Sequence, residues 1–227
     1  MVMKKRKANL DDGCNPELIV GAQFDGIIEV PFIKAPSNIV IPFGITPFSK
    51  RSLISSPKEA IGFFENDYVF SDVLIHPKSY IEEFKKVGAI ISIDCSLYRN
   101  APLAVQITNL YRNRAIGCFY QQKGINVIPL IRWGDETTYT TKYFPEKIAF
   151  LGVEQKSIVC IGTYGCIKGQ DNKYFFKAGL EAMLETLCPK IVLVYGSMPQ
   201  SIFGDYLKTT QFIQYTDWTT RTKRGDC

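Results

Sequence analysis

The chain has 227 residues, 27 Lys and Arg against 22 Asp and Glu for a formal charge of +5, and 46% hydrophobic residues. That length suits one large domain able to bury a core without disulfides or structural metals. Much of the positive charge sits in residues 4–7 and 221–224, which argues against a duplex-DNA binder unless folding gathers Arg99, Arg112, Arg114 and Arg132 onto one face.

Residues 1–15 are polar and basic and are expected to form a flexible arm. They lead into no secretory apolar core, and no apolar run approaches the roughly 20 residues that span a bilayer, so the chain reads as cytoplasmic with no membrane partner. Seven cysteines at irregular spacings and one histidine suit a reducing compartment and supply no zinc or iron–sulfur ligand pattern. Residues 16–218 read as a single α/β domain and residues 219–227 as a basic C-terminal tail. Short runs at 18–20, 26–30 and 38–43 are cut by Pro31, Pro36 and Pro42, and proline confines strands to edges or ends. Ser56 as N-cap and Pro57 at the first helical position predict a helix after them.

From residue 71 the pattern is steady. Apolar runs at 73–75, 89–93, 127–131, 158–161, 191–194 and 212–215 are separated by helix-like segments, as in the strands of a buried parallel sheet. Helices are predicted at 77–87 closed by Gly88, at 102–123 closed by Gly124, and at 172–187 capped by Asp171 and stopped by Cys188 and Pro189; weaker ones fall at 145–150 and 200–207. Two early strands and six later ones make about eight, which predicts a (β/α)8-barrel-like fold with degenerate N-terminal units. An open doubly wound sheet is the alternative, because periodicity does not distinguish a closed sheet from an open one.

Ligands of parallel α/β folds gather beyond the carboxyl ends of the strands. The residues there are His76; Asp94, Ser96 and Tyr98; Trp133, Asp135 and Glu136; Thr163 and Tyr164; Tyr195 and Ser197; and Asp217 with Trp218. Asp94, Asp135 and Glu136 are the candidate catalytic groups, because carboxylates from different strands can divide acid and base roles. The same groups could hold magnesium, which needs only one or two carboxylates beside water and phosphate. Each aspartate is equally suited to capping a turn or helix, and His76 to a base or a cap.

On the long helix, Gln106, Asn109 and Asn113 recur at helical spacing beside Arg112 and Arg114. Asn is a poorer helix former than Lys or Glu, so the stripe is expected to bond a ligand or to tie the helix to its own loops. Arg99 and Arg112 suit a phosphate or carboxylate, and Trp133, Tyr164 and Tyr195 suit stacking on a ring. Thr163 lies in a Gly-rich turn at 162–169 whose spacing matches neither GxGxxG nor GxxxxGK[ST].

Residues 70–196 carry Ser71-Asp72, Asp94-Cys95-Ser96, Arg99-Asn100-Ala101-Pro102, Gln106, Asn109, Tyr111-Arg112-Asn113-Arg114, Gly124, Ile128-Pro129, Trp133-Gly134-Asp135, Gly162-Thr163 and Tyr195-Gly196. In that order of motifs the chain resembles the domain-of-unknown-function family numbered 4417, which is carried by bacteria, phages and other mobile elements. The resemblance implies a mobile-element setting and transfers no catalytic role. The expected function is an enzyme acting on a nucleotide or other phosphorylated or glycosidic small molecule. The alternatives are a non-catalytic nucleic-acid-binding or nucleotide-sequestering protein, or a module for a protein partner.

Overall fold

Among the described residues seven strands run parallel and lie side by side in the order in which the chain makes them. The structure, a computed structural model, describes residues 15–225. A short antiparallel pair, β1 (Phe24–Asp25) and β2 (Val30–Pro31), comes first. The parallel strands are β3 (Ile45–Pro47), β4 (Ala60–Gly62), β5 (Ala89–Ile91) and β6 (Val127–Ile128), then β7 (Ile158–Gly162), β8 (Ile191–Tyr195) and β9 (Gln211–Tyr215). A parallel bridge between Leu130 and Cys160 joins the two groups. The helices are α1 (Ser71–Ile75), α2 (Ile81–Phe84), α3 (Leu103–Gln122), α4 (Glu136–Tyr139), α5 (Gln170–Leu187), α6 (Gln200–Phe203) and α7 (Trp218–Arg224). None of them is long and apolar enough to cross a membrane.

The Val/Ile/Leu runs become strands because side chains alternate across a sheet and here both faces are covered. One face supplies an inner cluster that includes Ile45, Ala60, Ala89, Ile128, Cys160 and Leu193, with Ile213 and Tyr215 packed against it. Every parallel strand contributes to that cluster. The opposite face packs Ile90 and Ile61 under α3 residues Ile116 and Phe119, and Val159 and Val192 under α5 residues Leu180 and Met183. Full burial of one such side chain is worth about 1.5–3 kcal/mol. The sheet curls until Tyr215 Oη donates to the Pro42 carbonyl at 2.6 Å, three residues before β3. Among the described residues no ladder pairs β9 with β3, so the architecture is mixed α/β with a parallel sheet and alternating helices, without hydrogen-bonded closure.

Several expectations are corrected. The run at 73–75 is part of helix α1, not a strand: only Val73 is buried, while Ile75 is 54% exposed, and a central strand would hide both. The helix expected after Ser56 is absent. Ser56 Oγ instead accepts from the Lys58 amide, and the chain passes directly into β4, a three-residue strand too short to announce itself. Residues 16–19 form a 3-10 turn, and the 26–30 run is mostly the turn that precedes β2. Asp171 lies in the first turn of α5 while Gly169 occupies the N-cap. Most of the arm expected at 1–15 lies outside the described residues; of the expected tail, residues 219–224 belong to α7, and 226–227 lie outside the described residues.

The amide stripe of α3 has a structural use. Arg114 is 1% exposed. Its Nε donates to the Leu151 carbonyl at 3.0 Å and its Nη1 to the Leu130 carbonyl at 2.9 Å and to Asn113 Oδ1. Asn113 Nδ2 donates to the Ile93 carbonyl, and Ser92 Oγ donates to Asn113 Oδ1 at 3.1 Å while accepting from the Leu130 amide at 2.8 Å. Burial pulls the Arg114 guanidinium down to about 9, against the opposing pull of Asp25, and leaves it charged at neutral pH. Replacing Arg114 with Ala opens a cavity and strips donors from buried carbonyls, so it should cost about 3–5 kcal/mol in urea unfolding. A loss under about 1 kcal/mol would mean that water replaces the guanidinium.

Candidate functional site

The carboxyl ends of all seven parallel strands open onto one cleft of about 680 Å³, to which they contribute Pro47, Glu65, Asp94, Arg132, Tyr164, Tyr195 and Asp217 in chain order. This convergence follows from parallel strands each followed by a connection on the same side. At the floor, Asp94 continues β5 and Arg132 continues β6, which are neighbours in the sheet. Arg132 Nε donates to Asp94 Oδ1 at 2.8 Å and Nη2 to Oδ2, a two-pronged ion pair. Arg132 Nη1 donates to the Gly162 carbonyl at 3.1 Å and to Cys166 Sγ at 3.0 Å. Burial works against the Arg132 charge, but Asp94 more than restores it, so the guanidinium is held above its ordinary range. Gly162 makes the floor possible: a Cβ there would stand 2.8 Å from Phe64 and 3.2 Å from Arg132 Nη2.

The walls are aromatic. Tyr195 stacks on Phe64 with centroids 4.3 Å apart, and its Oη accepts from the Trp218 amide at 2.9 Å. Burial pushes the Tyr195 phenol up to about 12. Trp133 packs on Phe176 at 5.1 Å and lies directly against Gly179, where a Cβ would approach its ring to 2.2 Å. Tyr68, Tyr98 and Tyr164 line the cleft yet remain 76%, 58% and 49% exposed.

Of the residues singled out at the strand ends in the sequence, Asp94, Ser96, Tyr98, Trp133, Tyr164, Tyr195, Asp217 and Trp218 meet at this cleft. Asp135 caps α4, accepting from the Thr137 amide at 3.0 Å, and Glu136 follows in the first turn of that helix; neither lines the cleft. Gln106 Nε2 donates to the Ala101 carbonyl at 2.9 Å and Asn109 Nδ2 to the Ser96 carbonyl at 2.8 Å, so both brace the loop that follows Asp94. Thr163 Oγ1 donates to the Ser197 carbonyl at 2.7 Å and joins two strand ends. Arg99 lies 4.4 Å above the Phe175 ring, Arg112 is half-buried on α3, and Arg114 is in the core, so the four arginines do not form a shared basic face. Asp217 lines the cleft and also caps α7 through Thr220. His76 lies away from the cleft beside Asp72 at 3.9 Å.

Sequence reasoning did not place Lys50, Glu65, Tyr68 or Cys166 at the site, and it counted Arg132 only as a possible surface cation. The residues after β4 were hidden because β4 itself was not recognised. Arg132 carried a readable signal, being the first charged residue after the 127–131 run. Among the described residues no group of three or more His, Cys, Asp or Glu is arranged to hold a metal ion.

Behind the cleft wall, Ser96 Oγ donates to Asp67 Oδ1 at 3.4 Å. Burial, helped by the charge of Asp94, raises the Asp67 carboxyl above the ordinary 3.8. A raised carboxyl means that the folded state holds its proton longer than the unfolded chain. Its contribution to stability is therefore full below pH 3.8 and is lost as pH rises through the folded value. Asp67→Asn removes that loss, so the variant should gain stability relative to wild type between acid pH and neutrality, read from urea midpoints across the range. A difference that does not change with pH would contradict this account of Asp67.

Comparison with known proteins places the chain in a phage-associated setting. It is 30% identical over 158 residues to "Gene 1 protein" of Mycobacterium phage L5, covering 70% of this chain and 66% of that protein. It is also 30% identical over 166 residues to "Gene 1 protein" of Mycobacterium phage D29, covering 73% and 58%. The chain thus spans less than two thirds of the length of each of these relatives. No solved structure matches it. A family model described as "Domain of unknown function (DUF4417)" matches residues 22–216, and by that match the chain belongs to this family.

Proposed function

We propose that the strand-end cleft binds a small polar ligand bearing a ring, and that Asp94, held by Arg132, is the group that acts on it. The observation that carries this reading is the convergence of seven strand ends on one cleft whose floor is a buried ion pair. Its volume of about 680 Å³ falls within the roughly 300–1,000 Å³ of small-molecule sites. Asp94 is 3% exposed, and the arginine fork fixes the direction in which its remaining lone pairs point. A carboxylate fixed in this way suits accepting a proton from a ligand hydroxyl. Magnesium would compete with that fork at Asp94, so the reading gives it no role. The inner cluster drawn from every strand, together with the Tyr215 link to Pro42, supports a barrel-like wrap of the sheet around one domain. The buried free thiols of Cys95 and Cys160 suit a reducing, cytoplasmic setting.

Nucleic-acid binding through Arg99 and Arg112 has less support, because the first stacks on Phe175 and neither lines the cleft. A thermal-shift screen of small polar ligands tests the proposal, since a ligand that binds only the folded state raises Tm. For a ligand so found, Tyr98→Ala and Tyr164→Ala should each weaken binding by roughly tenfold, about 1.4 kcal/mol. Asp94→Asn should keep the far-ultraviolet circular dichroism and lose conversion of the ligand as followed by mass spectrometry. Affinity indifferent to both tyrosines would move the site away from this cleft.

A further inference from the structure

We infer that the ligand of this cleft is uncharged where it binds: a hydroxylated ring, as in a free saccharide or a nucleoside, and not its phosphate ester. This rests on the reading of the cleft as a ligand site and narrows it.

The reason is that the cleft's forked cation and its carboxylates already have hydrogen-bond partners within the protein. Among the described residues the cleft lining carries two cations, Lys50 and Arg132, and three carboxylates, Glu65, Asp94 and Asp217. Every nitrogen of the Arg132 guanidinium is engaged, Nε and Nη2 by Asp94 and Nη1 by Gly162 and Cys166. The forked group best suited to phosphate is therefore occupied. To recruit it, a phosphate would have to displace Asp94 and leave that carboxylate buried without its partner. If the fork stays with Asp94, Lys50 is the one remaining cation of the lining, among the described residues, to meet a dianion beside three carboxylates.

A cationic ligand is no better served. Glu65 already accepts from the Ser49 amide at 2.9 Å and from Ser49 Oγ at 2.5 Å. Asp217 accepts from the Thr220 amide at 3.0 Å and from Thr220 Oγ1 at 2.8 Å. No carboxylate of the lining lacks donors.

What the cleft offers freely is ring surface and hydroxyl groups. Tyr68, Tyr98 and Tyr164 stand on the connections after three different strands, and each leaves about half or more of its area in water. Aromatic faces of this kind cover the C–H face of a sugar or the face of a base. Tyr195 Oη accepts from the Trp218 amide and so has its proton to give. A neutral ring with hydroxyls gains stacking and hydrogen bonds here without disturbing the ion pair.

The test pairs neutral compounds with their phosphate esters: glucose, mannose, galactose, N-acetylglucosamine, ribose and the four common nucleosides, each against its monophosphate. Binding to the full chain is measured by thermal shift and then by titration calorimetry. The expected result is that at least one neutral compound binds and that its phosphate binds at least about tenfold more weakly. Saccharide hits and nucleoside hits distinguish the two sources. Asp94→Asn should release the Arg132 fork and narrow or reverse that preference, while Lys85→Met, an exposed change outside the cleft lining, should leave neutral binding within about twofold of wild type. A phosphate ester binding the wild-type protein more tightly than its neutral parent overturns this inference and leaves the cleft as a ligand site. No binding by any compound of either set overturns both.

Discussion

The cleft depends on the buried guanidinium of Arg114. It lies beneath β5 and β6 and bonds, directly or through Asn113 and Ser92, to the backbone of Ile93, Leu130 and Leu151. Asp94 follows Ile93 directly, and Arg132 comes two residues after Leu130. One charged side chain on α3 thus sets how far each strand extends beyond its ladder and brings the two partners of the floor ion pair to the same height. A long polar side chain suits this task because three or more carbonyls at the sheet's end would otherwise be buried unpaired, each costing about 1–3 kcal/mol. Its position in the interior also explains why α3 carries amides where a solvent face would carry Lys and Glu.

Charge in this protein is used mainly for construction. Arg114 binds carbonyls, Arg132 binds Asp94, Asp135 and Asp217 cap helices, and Glu65 holds Ser49. The exposed pairs, such as Lys177 with Asp205 at 2.6 Å and Lys85 with Glu82 at 2.9 Å, contribute little because water screens them. The aromatic side chains divide in a comparable way. Phe48, Phe63, Phe70 and Phe84 pack against one another on the outer face of the sheet, whereas Tyr68, Tyr98 and Tyr164 in the cleft keep much of their rings in solvent.

The long elements were legible in the sequence and the short ones were not. Helices α3 and α5 and strands β7 and β8 each follow from a sustained period or an unbroken apolar run. Strand β4 has three residues, Ala60, Ile61 and Gly62, and a preceding Ser-Pro that signals a helix start; only its neighbours β3 and β5 make it a strand. The reverse happened at 73–75, where three apolar residues in a row lie on a helix with one side toward the core. At the site, reasoning from strand ends found Asp94, Ser96, Tyr98, Trp133, Tyr164, Tyr195, Asp217 and Trp218. It could not tell an aspartate on the cleft floor from a capping one, since Asp135 and Asp94 have the same local look and differ only in which side chain the fold brings against them. Arg132 was visible as a cation but not as a partner, because its pairing crosses 38 residues of chain.

The sequential order of the strands has an evolutionary consequence. Each connection after a strand brings its own side chains to the cleft, and no two of Tyr68, Tyr98 and Tyr164 share a connection. Such loops can change independently, by substitution or insertion, without touching the ladders or the Arg114 brace. The scaffold therefore separates what must be inherited together from what can drift alone. A change in a single loop can reshape the cleft while the floor beneath stays the same.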